Sequence, residues 1–350
     1  MANILINNCG SQAVEIIKLL KQDTSNCVVY LTYTDKEKYE DIADVVLEDY
    51  KDLGLTTYVE FLLNLCEKYA IDVFIPFNSM VSLIGYKDKI ERTGVKVLAC
   101  DNTSMFNVLN SKTQTYKLLG PALSDYIPLY VRTKTFVEFR NACQFIRDKG
   151  LTVCVKYAVD IAANSFRILN FDRRSLSELD VKGTTEAKRL AHMLDYNVLL
   201  DMLMTEYGVD EFDEDLMVME YLEGKEVSCD CLKLDDRNIV VVRYKETSTT
   251  QRIIHDEEIE SVCNTILNAT GYTGPCNIQF KYDRNGKLKL LEVNTRMSGG
   301  IMISSWATGI NLPLIAVKKL LGTLTDEDLV KVDYTEKVYR EVKGYEILDC

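Results

Sequence analysis

Three oxygen-bearing side chains, Gln279, Glu292 and Asn294, together with Arg296, form the clearest chemical pattern in this sequence. Side chains alternate along a strand, so Glu292, Asn294 and Arg296 share one face. Amide and carboxylate oxygens suit a magnesium ion that also binds phosphates, and a guanidinium offers a fork of donors to a phosphoryl group. We therefore expect a site for Mg²⁺, with Mn²⁺ as an alternative ion, and the alternative interpretation is the polar face of an ordinary hairpin.

A predicted hairpin brings these side chains together. Asn285-Gly286 is a strong signal for a two-residue type I′ turn, in which both residues have positive φ. That turn would set Arg284 opposite Lys287, Gln279 opposite Glu292, and Asn277 opposite Asn294. Opposed Cβ atoms lie about 4.5–5.5 Å apart, so the oxygens would converge on one point.

Composition excludes several classes of protein. The 350 residues, 47% of them hydrophobic, predict two or three buried cores. No apolar run approaches the ~20 residues of a membrane span, and no basic leader is present, so we expect a cytoplasmic protein without membrane contact. A net charge of −12 without a basic cluster argues against nucleic-acid binding. The eleven cysteines lack a CxxC pair and are expected to be reduced and mostly buried, and His192 and His255 lack partners at zinc-ligand spacing.

Two kinds of periodicity divide the chain. The first hundred residues alternate strand and helix patterns, which predicts a parallel sheet covered on both faces. No GxGxxG motif is present, so a dinucleotide site is only weakly indicated. The remainder predicts antiparallel hairpins, with one long helix over 184–207 and a solvated acidic connection over 210–215.

The metal pattern resembles that of the ATP-grasp superfamily, particularly the carboxylate–amine ligase branch that includes the large subunit of carbamoyl phosphate synthetase. The resemblance is carried by Gln279, by Glu292-x-Asn294-x-Arg296 thirteen residues later, and by Ser298-Gly299-Gly300. It implies that Gln279, Glu292 and Asn294 hold magnesium bridging the phosphates of ATP, while Arg296 contacts phosphoryl oxygens.

The resemblance covers nearly the whole chain and implies an α/β and α+β fold. The expected parts are a Rossmann-like parallel-sheet domain that precedes the ATP-grasp fold (1–109), an ATP-grasp domain with antiparallel sheets (110–322) and a tail expected to form a β-element (323–350). The ATP-grasp domain would comprise a lid subdomain (about 125–219) and a C-terminal subdomain (about 220–322).

Two lysines match the nucleotide-binding lysines of that superfamily. Lys112 opens a helix, and the resemblance implies that it contacts nucleotide phosphates, although a lysine at a helix start more often faces solvent. Lys156 ends an apolar strand, where a lysine is less expected by chance, and it would position the γ-phosphate.

The segment 217–226 is similar to the superfamily's hinge. The resemblance implies that the backbone at Tyr221 and Leu222 reads the adenine edge, with Glu220 beside the adenine amino group. Glu226 would accept hydrogen bonds from the ribose hydroxyls, a role suited to an ionised acceptor. The alternative is a charged turn between two strands.

Arg243 is predicted to lie opposite Asp230 if residues 235–238 form a hairpin loop. Related ligases place an arginine near this position to hold the acyl phosphate or substrate carboxylate, but a structural salt bridge is an equal alternative. The loop 157–165 departs from the superfamily because it contains no glycine, whereas amides of a glycine-rich loop usually fold over the phosphates.

These features predict an ATP- and Mg²⁺-dependent ligase that activates a small carboxylic acid as an acyl phosphate and joins it to an amine. The alternatives are a thiol acceptor, simple phosphoryl transfer, or an ATP-binding or sensing module with weak turnover, the last motivated by the glycine-free loop. The expected partners are the small-molecule carboxylate and amine, and a homodimer is common among such enzymes.

Overall fold

The chain forms two compact units, each built from more than one segment. A computed structural model describes residues 2–7, 11–23, 27–34, 41–50, 53–77, 79–159, 165–171, 192–247, 250–329, 337–341 and 345–348. The first unit comprises Met1–Leu109, Lys225–Gln279 and Val293–Cys350, and the second comprises Asn110–Gly224 and Phe280–Glu292. The predicted division into three domains, with boundaries after residues 109 and 322, stays a prediction.

Eleven α-helices lie in the described part of the chain. The α-helices are α1 (Ser11–Leu20), α2 (Leu55–Lys68), α3 (Met80–Leu83), α4 (Lys87–Glu91), α5 (Thr103–Asn110), α6 (Lys112–Leu123), α7 (Phe136–Asp148), α8 (Tyr196–Glu206), α9 (Glu257–Thr270), α10 (Ile301–Thr308) and α11 (Leu312–Leu321). Short 3₁₀ turns lie at Lys21–Asp23, Ile84–Tyr86, Ser124–Tyr126 and Asp326–Asp328.

A parallel sheet lies in the first unit, as predicted. Its strands are β1 (Ala2–Asn7), β2 (Cys27–Tyr33), β3 (Val45–Glu48), β4 (Val73–Ile75) and β5 (Lys96–Val97), in the order β3-β2-β1-β4-β5, and every pair is parallel. Ile4 of the central strand lies between Val29 and Val73 and is fully buried. Apolar side chains on both faces are what a parallel sheet covered by helices requires.

A second sheet lies in the second unit. Its strands are β6 (Tyr130–Thr135), β7 (Val153–Tyr157), β8 (Arg167–Asn170), β9 (Met193–Asp195) and β10 (Glu211–Glu220), in the order β6-β10-β7-β8-β9. The pairs are antiparallel except β8 with β9. Helix α7 covers this sheet with Phe139 and Ile146, both fully buried, and its first turn is capped by the Thr135 hydroxyl.

A seven-stranded sheet completes the fold. Its strands are β11 (Glu226–Lys233), β12 (Asn238–Lys245), β13 (Thr250–Ile253), β14 (Cys276–Tyr282), β15 (Leu288–Asn294), β16 (Lys337–Glu341) and β17 (Tyr345–Leu348), in the order β15-β14-β11-β12-β13-β16-β17. The pairs from β11 through β12, β13 and β16 to β17 are antiparallel. The β-element predicted for the tail is therefore the strand pair β16 and β17.

Two local predictions are wrong. The predicted helix over 184–207 does not extend through its described part, because residues 193–195 pair with β8 and the Asp195 side chain caps a helix that begins at Tyr196. Residues 184–191 lie outside the described residues. The predicted connection over 210–215 is instead the start of strand β10, because Phe212 is buried in the core of the second unit while its acidic neighbours are exposed.

The described cysteines agree with the predicted reduced state. None of the nine forms a disulfide, and eight are buried. Among the described helices, none is by itself long and apolar enough to span a membrane. Only the bent pair α10 and α11, with an angle of 93° between its helices, has the required length and composition, and this pair is mostly buried in the core of the first unit.

Candidate nucleotide and metal site

Lys112 and Glu292, two predicted ligands from distant parts of the sequence, form an ion pair within the second unit. Lys112 is the first residue of α6, whose start is set by Ser111 in an extended conformation. Its Nζ lies 3.3 Å from Glu292 Oε2. Lys112 is only 6% exposed, so the expectation that a lysine at a helix start faces solvent does not hold here.

Tyr116 strengthens the same attachment of α6 to β15. It lies one helical turn after Lys112, on the same face, and its hydroxyl donates to the carbonyl of Leu291 at 2.7 Å. Burial, with a smaller contribution from the charge of Glu292, raises the pKa of Tyr116 well above its usual range. Sequence reasoning missed Tyr116, although its i, i+4 spacing from Lys112 was a usable signal.

Lys156 is a buried lysine in the middle of a sheet. It lies on β7 opposite Met217 of β10 and is 5% exposed. Burial raises the pKa of the neighbouring Cys154 thiol to about 12, while the charges of Lys156 and Lys281 lower it and that of Glu220 raises it. These three charged groups therefore lie close enough to Cys154 to interact with it.

The predicted hinge, residues 217–226, begins within β10 and continues past the end of that strand at Glu220. Glu220 is 7% exposed, and its Oε1 accepts the Leu129 N–H at 2.8 Å. The Tyr221 N–H donates to the carbonyl of Thr152 at 2.8 Å, and the Nζ of Lys281 lies 4.8 Å from the centroid of the Tyr221 ring. This arrangement places a carboxylate, a lysine and an aromatic ring around one short backbone segment.

Gly224 lies in the hinge at a position where the backbone of another strand approaches closely. Its N–H donates to the carbonyl of Tyr282 at 2.8 Å. A Cβ at this position would lie 2.6 Å from Tyr282 Cβ and 2.9 Å from its carbonyl oxygen, so only glycine fits without displacing β14.

Comparisons with known proteins find similarity in sequence and in fold. Residues 212–343 match a family described as ATP-grasp in the biosynthetic pathway with Ter operon. The carbamoyl phosphate synthase large chain of Methanobrevibacter smithii is 25% identical over 303 residues, which cover 82% of this chain and 27% of that protein. The chain thus spans about a quarter of the length of this relative.

Solved structures show the same fold across the chain. The biotin carboxylase domain of Hydrogenobacter thermophilus 2-oxoglutarate carboxylase, solved as a dimer with MgADP and bicarbonate, aligns with a TM-score of 0.66 and 14% identity over 97% of this chain and 74% of that one. An L-amino acid ligase from Bacillus licheniformis aligns with a TM-score of 0.64 and 12% identity over 97% and 79% of the two chains. This chain carries an ATP-grasp fold.

The hairpin of this ATP-grasp fold turns differently from the prediction. The predicted type I′ turn is wrong, because among described non-glycine residues only Ala70 and Ser79 have positive φ, and Asn285 does not. Gly286 has a φ of 74°, its N–H donates to the Asp283 carbonyl, and the Asp283 N–H donates to the Lys287 carbonyl. The loop therefore has three residues, and Asp283, not Arg284, lies opposite Lys287.

The Asp283 side chain explains the longer loop. Its Oδ1 accepts the N–H of Asn285 at 2.8 Å and that of Lys287 at 2.9 Å. An aspartate that bonds to the backbone two residues ahead favours a type I turn, and a glycine at positive φ then closes the three-residue loop.

The pairing of Gln279 with Glu292 stays a prediction. The three-residue loop shifts the pairing of β14 with β15 next to the loop by one residue from the predicted register. The predicted pairing would return if β15 contained one extra residue, as in a β-bulge. The burial pattern of β15 supports such a bulge, since Leu288 and Leu290 are buried, the next two residues are both partly exposed, and Val293 is buried. Alternation that slips by one residue is the expected mark of a bulge.

The remaining predicted ligands lie at the end of the same strand. Asn294 is the last residue of β15, and the Arg296 guanidinium donates to the Met297 carbonyl at 3.1 Å. The Tyr272 hydroxyl anchors the segment between them by donating to the Thr295 carbonyl at 2.9 Å. The convergence of Gln279, Glu292 and Asn294 on one ion stays a prediction.

Glu226 is already engaged in an ion pair. It lies directly opposite Lys245 on the neighbouring strand, and the Lys245 Nζ donates to its carboxylate. The adjacent Lys225 pairs with Glu246 at 2.7 Å. The contact of Glu226 with the ribose hydroxyls stays a prediction. In such a contact, the Glu226 carboxylate would accept hydrogen bonds from both Lys245 and the ribose.

Arg243 lies in a buried polar network. The predicted pairing of Arg243 opposite Asp230 is wrong, because the connection is shorter than predicted and Arg243 lies opposite Ser228. Its guanidinium nevertheless reaches Asp230 diagonally, with Nε and Nη2 at 3.1 and 3.0 Å from Oδ2. Both residues are at most 2% exposed, which favours the structural salt bridge that the sequence left as an equal alternative.

The Ser298-Gly299-Gly300 segment completes that network. Nη2 of Arg243 donates to Ser298 Oγ at 3.0 Å and to Ser228 Oγ at 3.2 Å, and Nη1 donates to Gln251. A Cβ on Gly300 would overlap the guanidinium. The glycine of the motif is therefore explained by the space that a buried arginine requires.

The structure describes the glycine-free loop, residues 157–165, at residues 157–159 and 165. The Tyr157 N–H donates to Ser165 Oγ at 2.9 Å, and the Ala158 carbonyl accepts the backbone N–H of Lys112 at 2.9 Å. Residues 160–164 lie outside the described residues. The loop therefore begins beside the first turn of α6, where the predicted phosphate-binding lysine lies.

Proposed function

We propose that this chain is an ATP- and Mg²⁺-dependent ligase that activates a small carboxylic acid as an acyl phosphate and joins it to an amine. The observation that carries the proposal is the ion pair between Lys112 and Glu292, since it joins the lysine predicted to bind phosphate to the carboxylate predicted to bind the metal ion, from distant parts of the sequence. The similarity to carbamoyl phosphate synthase large chains and the fold shared with an L-amino acid ligase support it.

The side chains present are suited to a metal–nucleotide complex. In the described residues no three His, Cys, Asp or Glu side chains are placed to hold a metal ion by themselves. One carboxylate and two amides, from Glu292, Gln279 and Asn294, instead suit a magnesium ion that takes its other oxygens from phosphates and water. When bound, this ion would neutralise phosphate charge; Mn²⁺, with similar oxygen ligands, is proposed as a substitute.

The nucleotide would be held by backbone and lysine groups. Because the Tyr221 N–H already donates to Thr152, the adenine edge would be read by the Tyr221 carbonyl and the Leu222 N–H, with Glu220 beside the amino group. Glu226 would bind the ribose. Lys112 and Lys156 would bind phosphate oxygens, and their burial would strengthen these charge-assisted hydrogen bonds.

The chemistry requires positioning and charge neutralisation but no side-chain nucleophile. A substrate carboxylate oxygen would attack the γ-phosphorus while the bond to the ADP oxygen breaks, with Lys156 and Arg296 donating to the phosphoryl oxygens. The amine would then attack the acyl carbon, lose a proton and displace phosphate. Arg243 would act from its buried network as a support for the strands and not by contacting the substrate.

The test measures phosphate release with ATP and Mg²⁺ against a panel of amino acids and small acids, each with and without an amine. Lys112→Met and Glu292→Gln should each lower kcat/KM by about 10²-fold, the cost of one lost electrostatic contact to a developing charge. Lys117→Met is the matched control, because Lys117 is exposed on the same helix and should leave the rate unchanged. Equal rates for all three variants would refute the proposed roles of Lys112 and Glu292.

A thiol acceptor would appear in the same assay as phosphate release that requires a thiol in place of an amine. ATP binding without turnover for any acid would instead favour the sensing module. We further propose a homodimer, on the basis that the biotin carboxylase domain of the same fold was solved as a dimer, and sedimentation at micromolar concentration tests it.

A further inference from the structure

Gln279 can serve as a metal ligand only in one orientation of its amide. The amide ends in one oxygen, which accepts or coordinates, and one NH₂ group, which can only donate. A rotation of 180° about the last bond of the side chain exchanges the two and would point hydrogen atoms at a cation. This inference rests on the proposed function, in which Gln279 is a ligand of the magnesium ion.

Asn277 occupies the position from which the Gln279 amide can be oriented. The two residues share one face of β14, and Gln279 Nε2 donates to Asn277 Oδ1 at 3.0 Å. Asn277 is 1% exposed, whereas Gln279 is partly exposed. The nitrogen of Gln279 is thus held towards the buried side, which leaves its oxygen on the more accessible side.

The orientation of Asn277 is itself fixed by its surroundings. Its Nδ2 lies 2.9 Å from Asp230 Oδ1 and 3.1 Å from the Cys229 carbonyl, and both of these oxygens can only accept. A rotated Asn277 would place its own oxygen against two acceptors inside a buried region, which is strongly unfavourable. Asn277 Oδ1 therefore has to face Gln279.

Asp230 is anchored on its other oxygen. Oδ2 accepts from Arg243 Nε at 3.1 Å and from Ser304 Oγ at 2.5 Å, so the carboxylate has donors on both sides. Arg243 is in turn held by Ser298 and by other polar groups of the network, with Gly300 leaving room for its guanidinium. The chain from Arg243 through Asp230 to Asn277 is continuous and almost fully buried.

We propose that Asn277 is a positioning residue that selects the rotamer of Gln279 in which Oε1 is presented to the divalent ion. The buried Asp230–Arg243 pair acts one step further back by fixing Asn277. Groups that orient metal ligands in this way typically contribute about 10- to 100-fold in metal affinity or activity. This role gives the buried arginine a connection to the metal site without contact with the substrate.

The test measures Mn²⁺ binding by electron paramagnetic resonance in the full chain, with a non-hydrolysable ATP analogue present. Asn277→Ala should weaken Mn²⁺ binding by about 10- to 100-fold and leave metal-free nucleotide affinity within about twofold. Thr270→Ala is the matched control, because it removes a buried hydroxyl of the same unit whose hydrogen bond, to the Ile266 carbonyl, lies outside this network, and it should leave Mn²⁺ affinity within about twofold. Asn277→Ser, which keeps a hydroxyl donor near Asp230, serves if the alanine variant fails to fold.

Measuring the effect of Asn277→Ala in a Gln279→Glu variant separates a loss of amide orientation from a general loss of structure. In Gln279→Glu both terminal atoms are oxygens, so no rotamer has to be selected, and the oxygen that faces Asn277 Oδ1 meets another acceptor. Adding Asn277→Ala should then not weaken Mn²⁺ binding. An equal loss in both backgrounds would overturn the inference in favour of a purely structural role. The inference would also be overturned if Gln279→Ala weakened Mn²⁺ binding but Asn277→Ala left it unchanged. Mn²⁺ binding that Gln279→Ala does not weaken would overturn the assignment of Gln279 itself.

Discussion

Gly300→Ala should strongly destabilise the first unit, because it adds a methyl group where a buried guanidinium already lies. The new Cβ would overlap Arg243 Nη1 and lie 2.7 Å from Cζ and 2.8 Å from Nη2. Gly300 has a φ of −103°, which alanine adopts without strain, so the predicted effect is steric contact with Arg243 alone.

The size of the expected loss in the free energy of unfolding depends on whether the Arg243 side chain can move away from the new methyl group. Adding a methylene to a tightly packed core costs about 1–3 kcal/mol when neighbours adjust. Separating a buried ion pair costs about 3–5 kcal/mol. Because the guanidinium is held by Asp230, Ser228 and Ser298 at 3.0–3.2 Å, it cannot withdraw without losing these bonds. We expect a loss of about 3 kcal/mol, between the two limits.

Urea unfolding followed by the fluorescence of Trp306 measures this loss. Trp306 is the only tryptophan of the chain and lies on α10, the helix that begins directly after Gly300. Gly85→Ala is the control, because no atom lies within 4 Å of its Cβ position, and it should change stability by less than about 0.5 kcal/mol. A similarly small change for Gly300→Ala, or an equal cost in an Arg243→Ala background, would refute the reasoning.

Two further predictions concern the hairpin and the thiols. Gly286→Ala should destabilise the second unit by about 1–2 kcal/mol, because its φ of 74° is unfavourable for alanine although no atom lies near its Cβ position. Gly286→Asn should recover part of this loss in urea unfolding monitored by circular dichroism. Equal stability of the original chain and the two variants would contradict the turn. Burial raises the pKa of Cys66 and Cys143 to about 12, so the folded state retains protons that unfolded thiols release near pH 9. Their contribution to stability should be complete below about pH 8 and decline from pH 9 towards 12, and iodoacetamide at pH 8 should label them only after unfolding. Rapid labelling of the folded chain, read by mass spectrometry, would contradict their burial.

The sequence by itself determined the type of most elements and the identity of the candidate ligands. The alternation of polar and apolar residues over 276–282 is enough to predict strand β14 up to its turn. The alternating strand and helix patterns before residue 100 likewise predicted the parallel sheet, because strands covered on both faces carry continuous apolar runs. The acidic start of β10 was not predicted, because Phe212 is the only apolar residue among residues 211–215 and one apolar residue does not establish the alternation of a strand.

Only the tertiary structure decided the registers and the long-range contacts. Alternation assigns side chains to a face but does not count the residues in a turn, so the Asp283 side chain could shift the hairpin by one residue and a shorter connection could shift Arg243 past Asp230. The contact of Lys112 with Glu292 depends on how α6 packs against β15, and no local pattern encodes a contact between segments so far apart. Burial likewise emerges only when the sheets and helices pack together, and it is burial that favours a supporting role for Arg243 over the ligand role first considered for it.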